Sequence, residues 1–210
     1  MAPPLITITR EYASGGSDVA QLTARALGWT VIDNEFVDAV ARRAGLPADE
    51  VPQREERAPG LLERLARTLA VASPELFAGP AVTEAERDEA TIHTIVERII
   101  HEAAADGRVV LVGRGAQAIL ARRPEALHVY VVASKPWRVR FAVERMGIDP
   151  ARVEKVLEDT DRHRDEYVKT YYGRSRREAA NYDLVVNAER LGLEGAAAVV
   201  VAEAKRREWK

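Results

Sequence analysis

Residues 10–18 read REYASGGSD, after the apolar run LITIT at 5–9 and before the helix-like QLTARAL at 21–27. A strand, a glycine turn and a helix start, in that order, gather unpaired backbone N–H groups and the positive end of a helix dipole at one point. That is an anion site, and glycines let the backbone approach a phosphate. The common phosphate loop is G-x-x-x-x-G-K-[ST], with lysine on the terminal phosphates and the hydroxyl on magnesium. Aligned on its helix, this chain offers Arg10 for the first glycine, Gly15 for the second and Gly16 for the lysine, with Ser17 and Asp18 beyond. The expected phosphate-binding set is therefore Arg10, Ser14, Gly15, Gly16, Ser17 and Asp18. Arg10 could supply the missing positive charge through its planar fork, from a different direction than a loop lysine.

Two readings of Asp18 stay open. Followed by Gln21, it has capping-box spacing, and as a cap it would block its own anion site. Alternatively Ser17 or Asp18 is an oxygen ligand of magnesium, directly or through water, and the metal reconciles the carboxylate with a phosphate.

These residues need a scaffold, and the chain supplies short β-branched runs at 5–9, 29–33, 108–113, 127–133 and 182–187. None shows clean polar alternation, as expected of strands covered on both faces. Helical patterns over Asp18–Leu27, Glu35–Ala44, Val82–Ala105, Ala116–Ala121, Pro136–Met146 and Leu193–Arg207 alternate with them. The alternation predicts a doubly wound α/β fold with a parallel sheet. Two segments interrupt it. Residues 46–80 hold five of the ten prolines and suit a flap insertion, whereas the charged 149–181 segment, with a turn at Gly173, suits a helical lid. The Val82–Ala105 helix has enough apolar positions for either a core or a dimer face.

A chain of 210 residues with 47% hydrophobic residues suits one domain over residues 1–210 with a mobile insertion. The net charge of −2 gives no electrostatic reason to expect a nucleic-acid or membrane partner. The absence of cysteine excludes a disulfide framework, a thiol nucleophile and a thiolate metal site. Without a signal-like N-terminus or a spanning apolar run, the expected location is the cytoplasm. The four histidines lack metal-ligand spacing, which gives a hydrolase little support.

The joint order ITITREYASGG, VIDNEFVD, VGRGAQAILARRPEALHVYVVASKPWRVRFAVERMG, DTDRHRDEYVKTYYG and NYDLVVNAERLG resembles the cytidylate kinase-like proteins of the P-loop nucleoside monophosphate kinase group. The resemblance covers roughly the whole chain apart from 46–80. Members of this divergent branch carry a loop of the form REFGSGGRE, so a loop without lysine is a branch feature. This chain departs further, with Ser17 and Asp18 in place of Arg and Glu. The resemblance implies a P-loop NTPase-type three-layer α/β sandwich, a five-stranded parallel sheet and a helical lid insertion. It also implies ATP as phosphoryl donor, Mg2+ as cofactor and small-molecule nucleotides as partners, in a monomer or homodimer.

Site residues carry over position by position. Asp33 matches the aspartate before the nucleoside-binding helix, and a cap for the helix near Glu35 is its structural alternative. Arg114, in VGRG after the third strand, matches the arginine of the kinases' GRD sequence, an acceptor-binding and catalytic position. The aspartate of GRD is Gly115 here, which puts recognition of cytosine in doubt. DRHRDEY resembles the lid whose arginines close over the transferring phosphoryl group, with Arg162 and Arg164 first and Arg174 and Arg176 behind them. The alternative is a solvated helix with pairs such as Asp161 and Arg164 at helical spacing. Arg138, Arg140 and Lys135 support the lid or contact nucleotide, and Tyr167, Tyr171 and Tyr172 either stack on a base or pack on a neighbour. NAERLG occupies the place where related kinases lay backbone against adenine.

The leading expectation is ATP- and magnesium-dependent phosphoryl transfer to a nucleoside monophosphate, with CMP or dCMP first. The alternatives are a catalytically silent nucleotide-binding or sensor module, because Gly16 and Gly115 fall at donor and acceptor sites, and a kinase for another small acceptor. A pure sensor has less need of Arg114, Arg162 and Arg164 together.

Overall fold

A computed structural model describes residues 2–33 and 84–209. The helix expected over Glu35–Ala44 and the 46–80 flap lie outside these residues. The described strands are β1 (Leu5–Arg10), β2 (Thr30–Ile32), β3 (Val109–Val112), β4 (Ala126–Val132) and β5 (Leu184–Asn187). All pair in parallel, in the order β2-β3-β1-β4-β5. The helices are α1 (Gly16–Leu27), α2 (Glu84–Asp106), α3 (Ala116–Ile119), α4 (Lys135–Met146), α5 (Val153–Tyr172) and α6 (Ala188–Arg206).

The two-residue period of a strand divides the core between the faces of the sheet. Leu5, Val109 and Leu111 face α2, where they meet Val96, Ile99, Ile100 and Ala103. Ile6, Ile8, Val110, Leu127, Val129 and Val131 face α1 and α6, against Val19, Ala20, Ala196 and Val200. Both faces are apolar, which is why these strands read as continuous hydrophobic runs. Burying one such Leu, Ile or Val is worth roughly 1.5–3 kcal/mol. The buried α2 positions Val96, Ile99, Ile100 and Ala103 serve the core. A third, smaller cluster joins Ala13 to Ala142 of α4 and to Val153 and Leu157 of α5.

β1 lies at the centre, between β3 and β4. The connection from β1 leads toward β2 on one side, and that from β3 crosses to β4 on the other. The crevice at the carboxyl ends of β1 and β3 is thus the switch point where open α/β sheets bind ligands. The segment expected as a lid is α5, ended by a left-handed Gly173 (φ 63°), followed by a short 3-10 turn at Ala179–Asn181. Inside α6, Gly192 leaves the helical conformation (φ 70°, ψ 165°), so the main helix begins near Leu193, as the sequence pattern has it.

Candidate functional site

The loop after β1 is shaped from within. The Ser14 hydroxyl lies at donor distance from the carbonyls of Glu11 (2.9 Å) and Val131 (3.2 Å), and Ser14 N–H donates to Glu11 O at 3.3 Å. Its single hydroxyl proton is engaged in folding the loop. Ser14, expected among the phosphate ligands, is therefore a brace for the loop rather than a side-chain donor to an anion. Gly15 turns the chain with φ 75°, a left-handed conformation that a side chain disfavours. α1 starts at Gly16 with no side-chain cap, and its first helical bond runs from Val19 N–H to Gly15 O at 3.0 Å. The N–H groups of Gly16, Ser17 and Asp18 are left without helical acceptors.

This geometry removes one of the two readings of Asp18. The residue sits within the first turn rather than at the cap, so the capping-box reading does not hold. Together with Arg10 and the exposed Ser17 it lines a cavity of about 150 Å³ in front of the helix terminus. The Ser17 hydroxyl and Asp18 carboxylate are hard oxygen donors. They fit Mg2+, which takes one or two protein oxygens and fills the remaining positions with water and phosphate oxygens. No cluster of three or more His, Cys, Asp or Glu side chains suited to a metal occurs among the described residues.

A larger cavity of about 340 Å³ opens at the β1–β3 crevice, lined in part by Arg10, Arg114, Arg164, Arg176, Gln117 and Tyr167. Arg114 is presented by three consecutive left-handed residues, Gly113 (φ 76°), Arg114 (φ 51°) and Gly115 (φ 70°). A non-glycine residue held there costs about 1–3 kcal/mol, and such strain gathers at functional sites. Burial first, then the charges of Arg164 and Arg176, and also Arg114, press the Arg10 pKa down to about 9, with Asp33 pulling the other way. Burial and the Arg176 charge likewise lower Arg164. Asp33 thus stands beside the cationic group at the end of β2. A cavity with this much like charge favours an anionic occupant.

The two arginines of α5 expected in a lid part company. Arg164 points inward, with Nη1 3.5 Å from Arg10 O and its guanidinium over the Tyr12 ring at 5.4 Å. Arg162 points outward, is 58% exposed and pairs with Asp159 at 2.7 Å. On this face it forms the solvated ion pair of the alternative reading, apart from the arginines of the large cavity, where it was expected among the catalytic groups. Arg174 donates to Asn181 Oδ1 and is likewise engaged within the segment.

One arrangement went unanticipated. Asp161 is buried and accepts Tyr12 N–H at 2.9 Å, Arg138 Nη1 at 2.6 Å and Arg176 Nη2 at 3.2 Å. Arg176, also buried, donates to Asp165 at 2.7 Å and to Arg10 O at 2.7 Å. Three charged side chains therefore fasten α5 to the backbone of residues 10–12. The sequence pairing of Asp161 with Arg164 is replaced by these longer-range partners. A helical signal existed: Leu157, Asp161, Arg164 and Val168 share one face at i, i+4, i+7 and i+11, opposite Arg162.

Tyr171 stacks on His93 with centroids 4.1 Å apart, and Tyr167 lies 4.9 Å from Tyr171, so the tyrosines pack on one another. Of those three, Tyr167 lines the large cavity. A Cβ added to Gly115 would lie 2.6 Å from Tyr172 Cε2, so the ring occupies the space that an aspartate would need. Around the loop, Leu193 and Trp137 flank Gly15. Lys135 pairs with Glu154 (2.7 Å) and Glu158 (2.8 Å) of α5, and supports the helix rather than a ligand.

No helix of the described residues is long and apolar enough to cross a membrane. No curated protein sequence matches the chain. Among solved structures, an uncharacterized protein from Eubacterium ventriosum is similar with a TM-score of 0.69 at 18% identity, over 96% of this chain and 98% of that one. Shikimate kinase from Bacteroides thetaiotaomicron is similar at 0.55 and 16% identity, over 96% and 98%. TT1252 from Thermus thermophilus is similar at 0.54 and 21% identity, over 97% and 98%. At these identities the likenesses establish the fold, a three-layer sandwich shared with P-loop kinases. The model of the cytidylate kinase-like family matches residues 5–190, a span that holds the loop, Arg114 and the arginines of α5, and the chain belongs to that family.

Proposed function

We propose that the protein transfers the γ-phosphoryl group of ATP to a nucleoside monophosphate, with CMP or dCMP the first candidates. The observation that carries this reading is the meeting of an uncapped α1 terminus with four arginines, Arg10, Arg114, Arg164 and Arg176, at adjoining cavities. Phosphoryl transfer asks little covalent chemistry of a protein. It asks for alignment of two oxygens and cations around the spreading charge. The N–H groups of Gly16 and Ser17 hold the donor phosphates, and Ser17 with Asp18 would hold Mg2+, whose charge neutralises phosphate oxygens when bound. Arg114 and Arg164 orient the acceptor and the transferring group, while Arg176 and Asp161 fix the loop.

A second reading, a kinase for another small acceptor, is favoured by one contact: the Tyr172 ring fills the space beside Gly115 where the related enzymes place an acid. The test is ADP release from ATP and Mg2+ against a panel of nucleoside monophosphates, with Arg114→Ala and Arg164→Ala as controls. Release that depends on CMP or dCMP and is lost in both controls supports the first reading. A different best acceptor supports the second, and nucleotide binding without any acceptor-dependent release leaves a binding module.

A further inference from the structure

The side chain of Arg10 follows an unusual course. Leaving the end of β1, its stem runs against Gly16, where an added Cβ would overlap Arg10 Cβ and lie 3.0 Å from Cγ. Its guanidinium ends against Gly113 at the end of β3, where an added Cβ would overlap Nη1 and lie 3.1 Å from Cζ. Two positions far apart in sequence are thus kept bare by one side chain. The position that holds the loop lysine in the common motif is glycine here because the Arg10 stem occupies its space. Arg10 lines both cavities, and its charged end lies against Gly113 while its stem lies against Gly16.

Resting on the kinase reading, we infer that the missing loop cation has been relocated to Arg10 and serves the acceptor half of the site. There, Arg10 together with Arg114 and Arg164 seats a dianionic phosphomonoester. A guanidinium suits this seat because its fork binds two phosphate oxygens at once, whereas a lysine ammonium is a point charge. Gly113 is then a specificity position, since any side chain there displaces the guanidinium from the crevice. The donor phosphates are left to backbone N–H groups and the helix dipole.

Calorimetry on the full chain tests this, using inorganic phosphate and CMP as acceptor-side probes and ATP with Mg2+ as the donor-side probe. Arg10→Met and Gly113→Ala should each weaken phosphate and CMP binding roughly 10- to 100-fold, the loss of one or two charged hydrogen bonds. ATP affinity should change far less, and Arg10→Lys should recover part of the phosphate affinity. The exchange Arg10→Gly/Gly16→Lys should strengthen ATP binding while phosphate binding stays weak, which also guards against misfolding as the cause. Unchanged phosphate affinity in Arg10→Met overturns the inference, as does an equal loss for ATP, which would make Arg10 a donor-loop cation. Wild-type protein that binds neither phosphate nor CMP overturns it too. Arg10-dependent phosphate binding without turnover of any nucleoside monophosphate upholds this seat and overturns the nucleoside monophosphate kinase reading alone.

Discussion

The Asp161 carboxylate accepts the backbone N–H of Tyr12 at 2.9 Å, across 149 residues of sequence, and so ties the middle of α5 to the first turn of the phosphate loop. Its other oxygen takes Arg138 Nη1 at 2.6 Å, and Arg138 also donates to Tyr12 O at 3.2 Å. Tyr12 is therefore held at both of its backbone groups, and α5 is fastened to the loop at this point.

Replacing Asp161 by alanine leaves Arg138 and Arg176 buried with one acceptor fewer, and removing one partner of a buried pair costs about 3–5 kcal/mol. Asp161→Asn keeps an acceptor for Tyr12 N–H and should lose less. Urea unfolding of both variants checks the order, and hydrogen exchange at the Tyr12 amide should rise more in Asp161→Ala than in Asp161→Asn. Equal stability of the alanine variant and wild type would refute the clamp.

The divergence of Arg162 and Arg164 gives a paired prediction. Arg164→Ala should lower turnover about a thousandfold if the group acts as an arginine finger does. Arg162→Ala removes an exposed pair of little worth, and turnover should stay near wild type. Steady-state rates for the two variants, measured side by side, decide the matter.

That divergence also marks how far the sequence was legible. The strands were readable because Val110, Val129 and their neighbours are buried on both faces, and their β-branched runs record it. The Gly173 turn was readable because glycine readily takes the left-handed conformation that ends many helices. The spacing at Asp18 left two readings open because capping-box spacing is a local cue, whereas the start of α1 is set by Gly15 and by Ser14 bonding back to β4. Arg162 and Arg164 are chemically alike, and only their phase against Leu157 and Val168 separates them. Asp161, Arg138 and Arg176 meet through tertiary folding, which no local spacing announces.

Gly115 carries a steric prediction. Gly115→Asp places a side chain on a left-handed residue and drives its Cβ to 2.6 Å from the Tyr172 ring. Backbone strain and overpacking should each lower stability by about 1–3 kcal/mol. Adding Tyr172→Ala should recover the overpacking part, a coupling that a double-mutant cycle in denaturant measures. Simple additivity of the two variants would show that the ring does not close this space.

A pH prediction rests on His128. Its Nδ1 lies 2.8 Å from Thr7 Oγ1 between β4 and β1, and burial pushes the imidazole below its ordinary value of 6.5, with Asp183 opposing. The native state therefore holds the neutral form at a pH where the unfolded chain already binds a proton. With more protons on the unfolded state, stability rises with pH through that interval. The contribution is fully present above about 6.5, the unfolded value, and is lost as pH falls below it until the native group also protonates. Carboxylates held low by ion pairs, such as Glu203 at about 2 beside Arg206 and Arg207, give up their share only below the ordinary carboxylate range. Denaturant midpoints between pH 5 and 7.5 should therefore fall toward the acid end in the wild type. The slope should flatten in His128→Asn, whose amide can still reach Thr7 but carries no titrating proton, and an unchanged slope would remove His128 as its source.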